Sequence, residues 1–588
     1  MPVASSSDRV GPKPTDFNGR EAALAVIAAF AFAGWALAWN RLGLLNAGPI
    51  AYSNHEACDA WHYFGVSILP KASLLWIPET RTISRPMYFG VVYGLNSVLP
   101  WLGIGLASYI AFLPATLAAS YVAMRALFSR PTSALACLIA GTSPLLLNMS
   151  STTYVSVASL AYTSGMLACL MWAPRIAPMN TWRSRTLYAT AGVFFAWAAN
   201  ANLISIEFNF LFCLFALSGQ LTSPIRPSAM ARALLTAAGL ILSGILAGTF
   251  AAMVFASELG LGFWAPYFQV RDALAGQGSW QYPGWQRDSV GLAFVILAGL
   301  LVVSSLSAPR TAGARDNDLR LTAVIVAGTC VATLFTTFAL GDQALVFDFF
   351  YVLILPSLLL ALCLALDRAF AARSRAETTK VFACTIGVVL AINGVLALAD
   401  GAKDFAFWSP LLFLYGSLTI AAIALAASRA RRSNIGLAAI LAVALALQAG
   451  AGQTLRTMYF HPHALMRERT DMAEVALRFI IRHLDDNPVL WLAASDDPRL
   501  TLPITRSFRR CVTVATFPDA LPDPAANGQP AIAAGRTVVV MDGSARTVSE
   551  IDAALRAHGY RLDVRASRFF PVNRTQGLQV TVGRAQNL

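Results

Sequence analysis

EAALAVIAAFAFAGWALAW, residues Glu21 to Trp39, carries its only charge at its first position. At about 1.5 Å per residue, a helix over this stretch nearly matches the roughly 30 Å hydrocarbon layer of a bilayer. The residues before it, MPVASSSDRVGPKPTDFNGR, are polar and hold no apolar h-region. No small-residue cleavage site stands out after it, so the stretch reads as an uncleaved first membrane helix.

The same pattern recurs along the chain. Apolar runs of spanning length fall near 21–40, 101–124, 132–149, 154–173, 186–201, 203–219, 233–256, 290–307, 321–340, 349–366, 381–399, 408–427 and 435–452. That predicts a mostly α, polytopic bundle of about 13 transmembrane helices. Composition agrees. Of 588 residues, 56% are hydrophobic and only 13% charged, and the mean hydropathy is +0.58, which a soluble fold could not cover.

The net charge of +13 has a membrane explanation. With residues 1–20 as a cytoplasmic tail, the inner segments carry Arg9, Lys13 and Arg20, Arg125 and Arg130, Arg175, Arg183 and Arg185, and further arginines up to Arg432. The short outer loops near 150, 201 and 345 carry none, as the positive-inside rule requires. No nucleic-acid partner is needed, and the parity places everything after Gln453 outside. Two outer segments are long, 41–88 and 257–289. Residues 21–454 thus form the membrane domain of a chain expected in a bacterial inner membrane, with membrane lipids as its surroundings.

Residues 455–588 read differently. PVLWLAA, CVTVATF, RTVVVMD, YRLDVRA and GLQVTVG are strand-like. TVSEIDAALRAHG reads as a helix with Thr547 or Ser549 as cap and Gly559 at its end. This predicts a soluble, periplasmic α/β domain, with no phosphate loop, metal spacing or nucleophile elbow. The eight cysteines show no disulfide framework.

Chemistry concentrates in the first outer segment. NHEACDAWHYFG places His55, Glu56, Asp59 and His62 directly after the first span. Glu56 and Asp59 would share a face if helical. A close carboxylate pair raises one pKa, or holds a divalent cation if more oxygens join. The His spacing fits no zinc pattern, so no metal site is assigned and no resident cofactor is called for. The histidines suit hydrogen bonding to a headgroup, or plain loop polarity. Arg81, Arg85, Arg271 and Arg287 lie in the two long outer segments. Arginine grips phosphate bidentately, and equally well snorkels to lipid headgroups. The run GFWAPYFQVRDALAGQGSWQYPGW suits an interfacial aromatic belt, or a lid over a polyprenyl chain or sugar. Glu207, in ANANLISIEFNFLF, is an acid about one turn inside a span, near Asn202 and Asn209. An intramembrane acid points either to a site or to a bond between helices.

The membrane region, roughly residues 20–455, resembles the GT-C membrane glycosyltransferases, in particular bacterial relatives of protein O-mannosyltransferases and lipid A aminoarabinose transferases. Those proteins carry an acid soon after the first helix in a D-x-W-x-Y-like setting, matched by DAWHYFG, Asp59 to Gly65. They continue with an S-R-P element, matched by TISRPMYFG, Thr82 to Gly90. A late Y-x-x-x-L-x-P-type run is matched by FDFFYVLILPSLLLAL, Phe347 to Leu362. The resemblance implies a polyprenyl-phosphate-linked sugar donor and an envelope glycan, lipid or protein as acceptor. It implies an inverting transfer with Asp59 as general base, and Glu56, three residues earlier, is the candidate for a second acid. With such a donor, Arg85, Arg81, Arg271, His55, His62, Tyr63, Tyr154 and Glu207 are the substrate-binding candidates. The chain departs from the family in STTYVSVASLAY, where Thr153 and Ser156 replace the acids of a W-D-Y-x-D-like run. Two other readings stay open: a lipid or sugar transporter, and a GT-C scaffold without activity.

Overall fold

The computed structural model describes residues 17–41, 57–68, 85–141, 155–176, 181–203, 205–218, 227–261 and 463–484, the strands and helix that follow, and a few single positions between them. Among the described residues nine α-helices come first: α1 (Gly19–Arg41), α2 (Ala57–Ile68), α3 (Pro86–Val98), α4 (Ile104–Arg125), α5 (Arg130–Gly141), α6 (Ser156–Ile176), α7 (Thr181–Ala201), α8 (Ser205–Ser218) and α9 (Pro227–Glu258). Among them α1, α4, α6 and α9 are long and apolar enough to cross a membrane. The spans expected between 290 and 452 lie outside the described residues, apart from Leu355, Pro356, Leu359, Leu360 and Cys363, which are helical and buried.

The segment 41–88, expected as an outer loop, holds α2 and the start of α3. Pro86 opens α3 at its first helical position, where a missing N–H costs nothing. Its apolar residues Met87, Tyr88, Phe89 and Val92 are all buried, so tertiary packing stabilises a helix in a segment whose charges suggested a loop.

Burial sorts the bundle into centre and rim. α6 is almost wholly buried, while α1 and α9 are mostly exposed. Leu24, Ile27 and Phe30 on α1, and Leu235, Leu242, Leu246 and Phe250 on α9, face outward, a surface only lipid covers without cost. α7 and α9 pack backbone to backbone. A Cβ on Gly192 would fall on the Ile241 carbonyl oxygen, and one on Gly244 on that of Ala189. This close approach of small residues is how apolar helices associate where burial from water supplies no driving force.

α4 and α6 run in the same direction, and their ends define two poles. At one pole Glu21 joins three helices. Its Oε1 accepts from Arg125 Nε at 2.6 Å and from the Tyr121 hydroxyl at 2.7 Å, and its Oε2 accepts from Arg130 Nε at 2.7 Å. Phe17 stacks on Trp172, whose indole N–H donates to the Val122 carbonyl. Arg175, Arg183 and Arg185 lie at the same end, on α6 and α7. This is the arginine pole.

The described residues after 463 comprise α10 (His463–His483), β1 (Val489–Ala494), β2 (Ala515–Thr516), β3 (Thr537–Asp542), α11 (Val548–Ala557), β4 (Tyr560–Pro571) and β5 (Gly577–Asn587). The sheet order is β2-β1-β3-β5-β4. β1 pairs in parallel with β2 and β3, and β5 pairs antiparallel with β3 and β4. Alternation along β3 sends Val538 and Val540 toward Ile551 and Leu555 of α11, and Val539 and Met541 to the opposite face. On that other face Phe479 of α10 meets Phe570 of β4 edge-on. Thr547 and Glu550 form a capping box at the head of α11: the Thr547 N–H donates to Glu550 Oε2, and the Glu550 N–H to Thr547 Oγ1. Gly559, at φ 81°, stands just beyond the helix.

α10 also clasps the membrane helices at the pole opposite the arginines. The Ile104 N–H donates to Glu474 Oε2 at 3.1 Å. Arg478 Nη2 donates to Glu474 Oε1 at 2.8 Å and to Asn96 Oδ1 at 2.6 Å. The residue before α4 is Gly103, at φ 71° and with no capping side chain of its own. Glu474 therefore supplies the cap from a distant segment.

Candidate functional site

The pole opposite the arginines gathers α2, α3, and the first turns of α4 and α6. Tyr63 of α2 is buried against Tyr88 and Phe89 of α3. Tyr88 stacks on Phe112 of α4 and donates its hydroxyl hydrogen to Ser108 Oγ at 3.2 Å. Phe112 then meets Tyr162 of α6, which meets Trp197 of α7 edge-on, with ring centroids 5.6 Å apart. The Tyr162 hydroxyl donates to the Met87 carbonyl at 2.9 Å. Tyr162 is six residues into α6, so α3 begins about 9 Å below that helix's end.

Arg85 occupies the start of α3. Its carbonyl accepts from the N–H groups of Tyr88 and Phe89, which locks its backbone. Its guanidinium is not so bound: Nε and Nη1 are buried with no hydrogen-bond partner among the described residues. Among the described residues Asn96 Nδ2 on α3 itself, Ser159 Oγ on α6, Trp197 Nε1 on α7 and Asn209 Nδ2 on α8 share that condition. Ser159 lies one turn from Tyr162 on α6. Asn209 is tied to that helix by its Oδ1, which accepts from Thr163 Oγ1 at 2.8 Å. An unpaired buried polar group costs about 1–3 kcal/mol. Arginine, indole and amide nitrogens can only donate, so the shared deficit is one of acceptors. An anionic, oxygen-rich group would meet it.

The other sequence candidates separate. Asp59 and His62 lie on α2, whose side chains are described only from Tyr63 to Ile68. His55, Glu56, Arg81, Tyr154, Arg271 and Arg287 lie outside the described residues. Glu207 stands in the first turn of α8 and is half-exposed, with interactions of its own. It is two residues from Asn209, about 200° around the helix, so the two do not share a face. Asn202 instead donates from Nδ2 to Ser156 Oγ at 3.0 Å, both buried. The position where the family would carry an acid is thus a serine with a firm partner. No group of three or more metal-ligating side chains occurs among the described residues. Ser159 and Trp197 escaped the sequence reading, since a neutral residue inside an apolar run leaves no periodic signal.

No family model and no curated protein matches this chain. Solved structures do. ArnT from Cupriavidus metallidurans in the apo state matches at 15% identity and TM-score 0.46, covering 94% of this chain and 98% of that one. The same protein bound to undecaprenyl phosphate matches at 14% identity and TM-score 0.47, covering 95% and 97%. The archaeal oligosaccharyltransferase AglB from Archaeoglobus fulgidus, with an inhibitory peptide and a dolichol-phosphate, matches at 10% identity and TM-score 0.40, covering 83% and 64%. The resemblance of this chain to the GT-C membrane glycosyltransferases rests on its motifs DAWHYFG and TISRPMYFG.

Proposed function

We propose that this chain transfers a sugar from a polyprenyl-phosphate-type lipid donor to a cell-envelope acceptor at the outer face of a bacterial inner membrane. The carrying observation is Arg85: a guanidinium inside the S-R-P element with two buried nitrogens unpartnered, amid donors that lack an acceptor. A phosphate at that depth takes those hydrogen bonds while its polyprenyl tail stays in lipid. The arginine pole is then cytoplasmic, and the pole with α3 and α10 periplasmic, with the C-terminal α/β unit beside the acceptor's path.

In this reading an acceptor hydroxyl oxygen attacks the anomeric carbon as the bond to the phosphate oxygen breaks. The bonding electrons leave with polyprenyl phosphate, and the configuration inverts. The Asp59 carboxylate takes the hydroxyl proton. Glu56, three residues earlier, is the second acid, alone or with a divalent cation between them. Arg85 offsets the charge that builds on the leaving phosphate. The scaffold reading draws on one observation, that Ser156 stands hydrogen-bonded where a carboxylate would be expected.

The test is complementation of a deletion strain with wild type, Asp59→Asn or Glu56→Gln at matched membrane levels. Envelope glycans and lipid-linked sugars are then read by mass spectrometry. Loss of one sugar with build-up of its polyprenyl donor in Asp59→Asn supports transfer. Full complementation by Asp59→Asn removes the base and leaves the scaffold or a transporter.

A further inference from the structure

α3 opens without a side-chain cap: Arg85 stands at the cap position, and Pro86 follows it. The uncapped end of a helix is the part most prone to fray. Two tyrosine hydroxyls hold this one from the side. Tyr88, in the first turn itself, donates to Ser108 Oγ of α4 at 3.2 Å. Tyr162 of α6 donates to the Met87 carbonyl at 2.9 Å. A carbonyl oxygen has two lone pairs, so Met87 can take this bond and keep its place in the helix.

The Tyr162 ring is boxed in by aromatic neighbours. It is buried. Phe112 of α4 and Trp197 of α7 meet it edge-on, and Phe194 of α7 stacks with it, with centroids 5.6 to 6.4 Å away. The box aims the hydroxyl at α3. Met87 is two residues from Arg85, about 3 Å along the helix axis. The Arg85 carbonyl accepts from the Tyr88 and Phe89 N–H groups, so the backbone that carries the guanidinium moves with this turn.

We infer, on the transferase reading above, that Tyr162 is a positioning residue for Arg85. Its hydroxyl fixes the first turn of α3, and with it the point at which the guanidinium meets the donor's phosphate. It acts through Arg85 and not on the reacting atoms. Such placement matters because a hydrogen-bond donor stabilises a leaving oxygen only when it is already in reach as charge develops. A misplacement of about 1 Å can cost about 10²-fold in rate.

The chain holds a matched control. Tyr109 of α4 is also buried, and its hydroxyl donates to the Ala33 carbonyl of α1 at 3.1 Å. The bond is of the same kind, a phenol to a backbone carbonyl on a neighbouring helix, but it does not hold α3. Tyr162→Phe and Tyr109→Phe each delete one hydroxyl and keep the ring.

The test uses the full chain in nanodiscs. Its probe is the lipid-linked sugars extracted from the deletion strain, with that strain's envelopes as acceptor. Tyr162→Phe should lower kcat about tenfold and hold KM for the lipid within about twofold. Tyr109→Phe should leave both at the wild-type value, while the two variants lose similar amounts of thermal stability. In an Arg85→Met background, Tyr162→Phe should cost no further rate, because no guanidinium remains to be placed. A wild-type kcat in Tyr162→Phe overturns the inference. So does an equal fall in Tyr109→Phe, which would mean general loosening, or a further tenfold fall on top of Arg85→Met. Wild type that consumes none of the extracted lipids overturns the transferase reading itself, and this role with it.

Discussion

The two poles of the helix bundle treat buried charge in opposite ways. At the arginine pole one carboxylate, Glu21, accepts from Tyr121, Arg125 and Arg130, and Arg125 donates further to the Phe128 carbonyl. Among the described residues there, Arg125 Nη2 and the Ser133 hydroxyl are left over. At the other pole Arg85 has no acid beside it among the described residues. Two of its nitrogens stand without acceptors among the described residues, as do Trp197 Nε1 on α7 and Asn209 Nδ2 on α8. A buried arginine with its acid ties helices together. One fixed through its backbone, with two buried nitrogens unpaired among the described residues, leaves hydrogen-bonding capacity that the proposed phosphate would use.

The sharpest way to break this contrast is Glu21→Ala. It strands Arg125, which is fully buried. Removing one partner of a buried pair costs about 3–5 kcal/mol, so the variant should lose most of its thermal stability in detergent, or fail to accumulate. Arg85→Met makes the complementary cut. It removes a buried group that has no partner, so the melting temperature should hold or rise. Turnover of the lipid-linked donor should fall about 10²–10³-fold, as on loss of one donor to a developing anion. A melting temperature that falls as far as in Glu21→Ala would make Arg85 structural.

Asn209→Leu probes the same pole more gently. It removes the unpartnered amide but also the acceptor for Thr163. The two effects oppose, and the net stability change should stay within about 1 kcal/mol, with donor affinity carrying the larger change. The smallest effect belongs to the C-terminal unit. Burial alone would raise the Asp552 carboxyl, but the Leu562 N–H and the Arg556 guanidinium hold it below the usual carboxylate range. Its contribution is therefore present above the ordinary carboxylate pKa and fades as pH falls through the lowered value. Asp552→Asn should lower neutral stability slightly and flatten the acid limb of the unfolding curve, leaving stability at low pH nearly unchanged.

Much of this organisation was legible in the residues. Arginines at alternate helix ends give the poles, because transfer of charge across lipid is so costly. Arg85 stands out only through the resemblance of TISRPMYFG to the family's S-R-P element, since the same tripeptide recurs at residues 129–131. α10 was not foreseen, although Met472, Ala473, Ala476, Leu477 and Ile480 form one buried stripe. Five apolar residues among RERTD and RH look like a solvated stretch until a sheet is there to receive them. Ser159 and Trp197 were illegible for another reason. Inside a membrane run they resemble the filler around them, and only the missing partners, a property of three-dimensional placement, set them apart.

The Glu474 cap has a consequence for biosynthesis. The first turn of α4 is completed by a carboxylate 370 residues further along the chain. At roughly 5–20 residues per second, that carboxylate emerges about 20–75 s after α4 itself. For that interval the helix head must stay open at the translocon, its first amides satisfied by water or headgroups. Translation thus sets a clock on this membrane helix, which is finished only when a segment made near the end of synthesis swings back to close it.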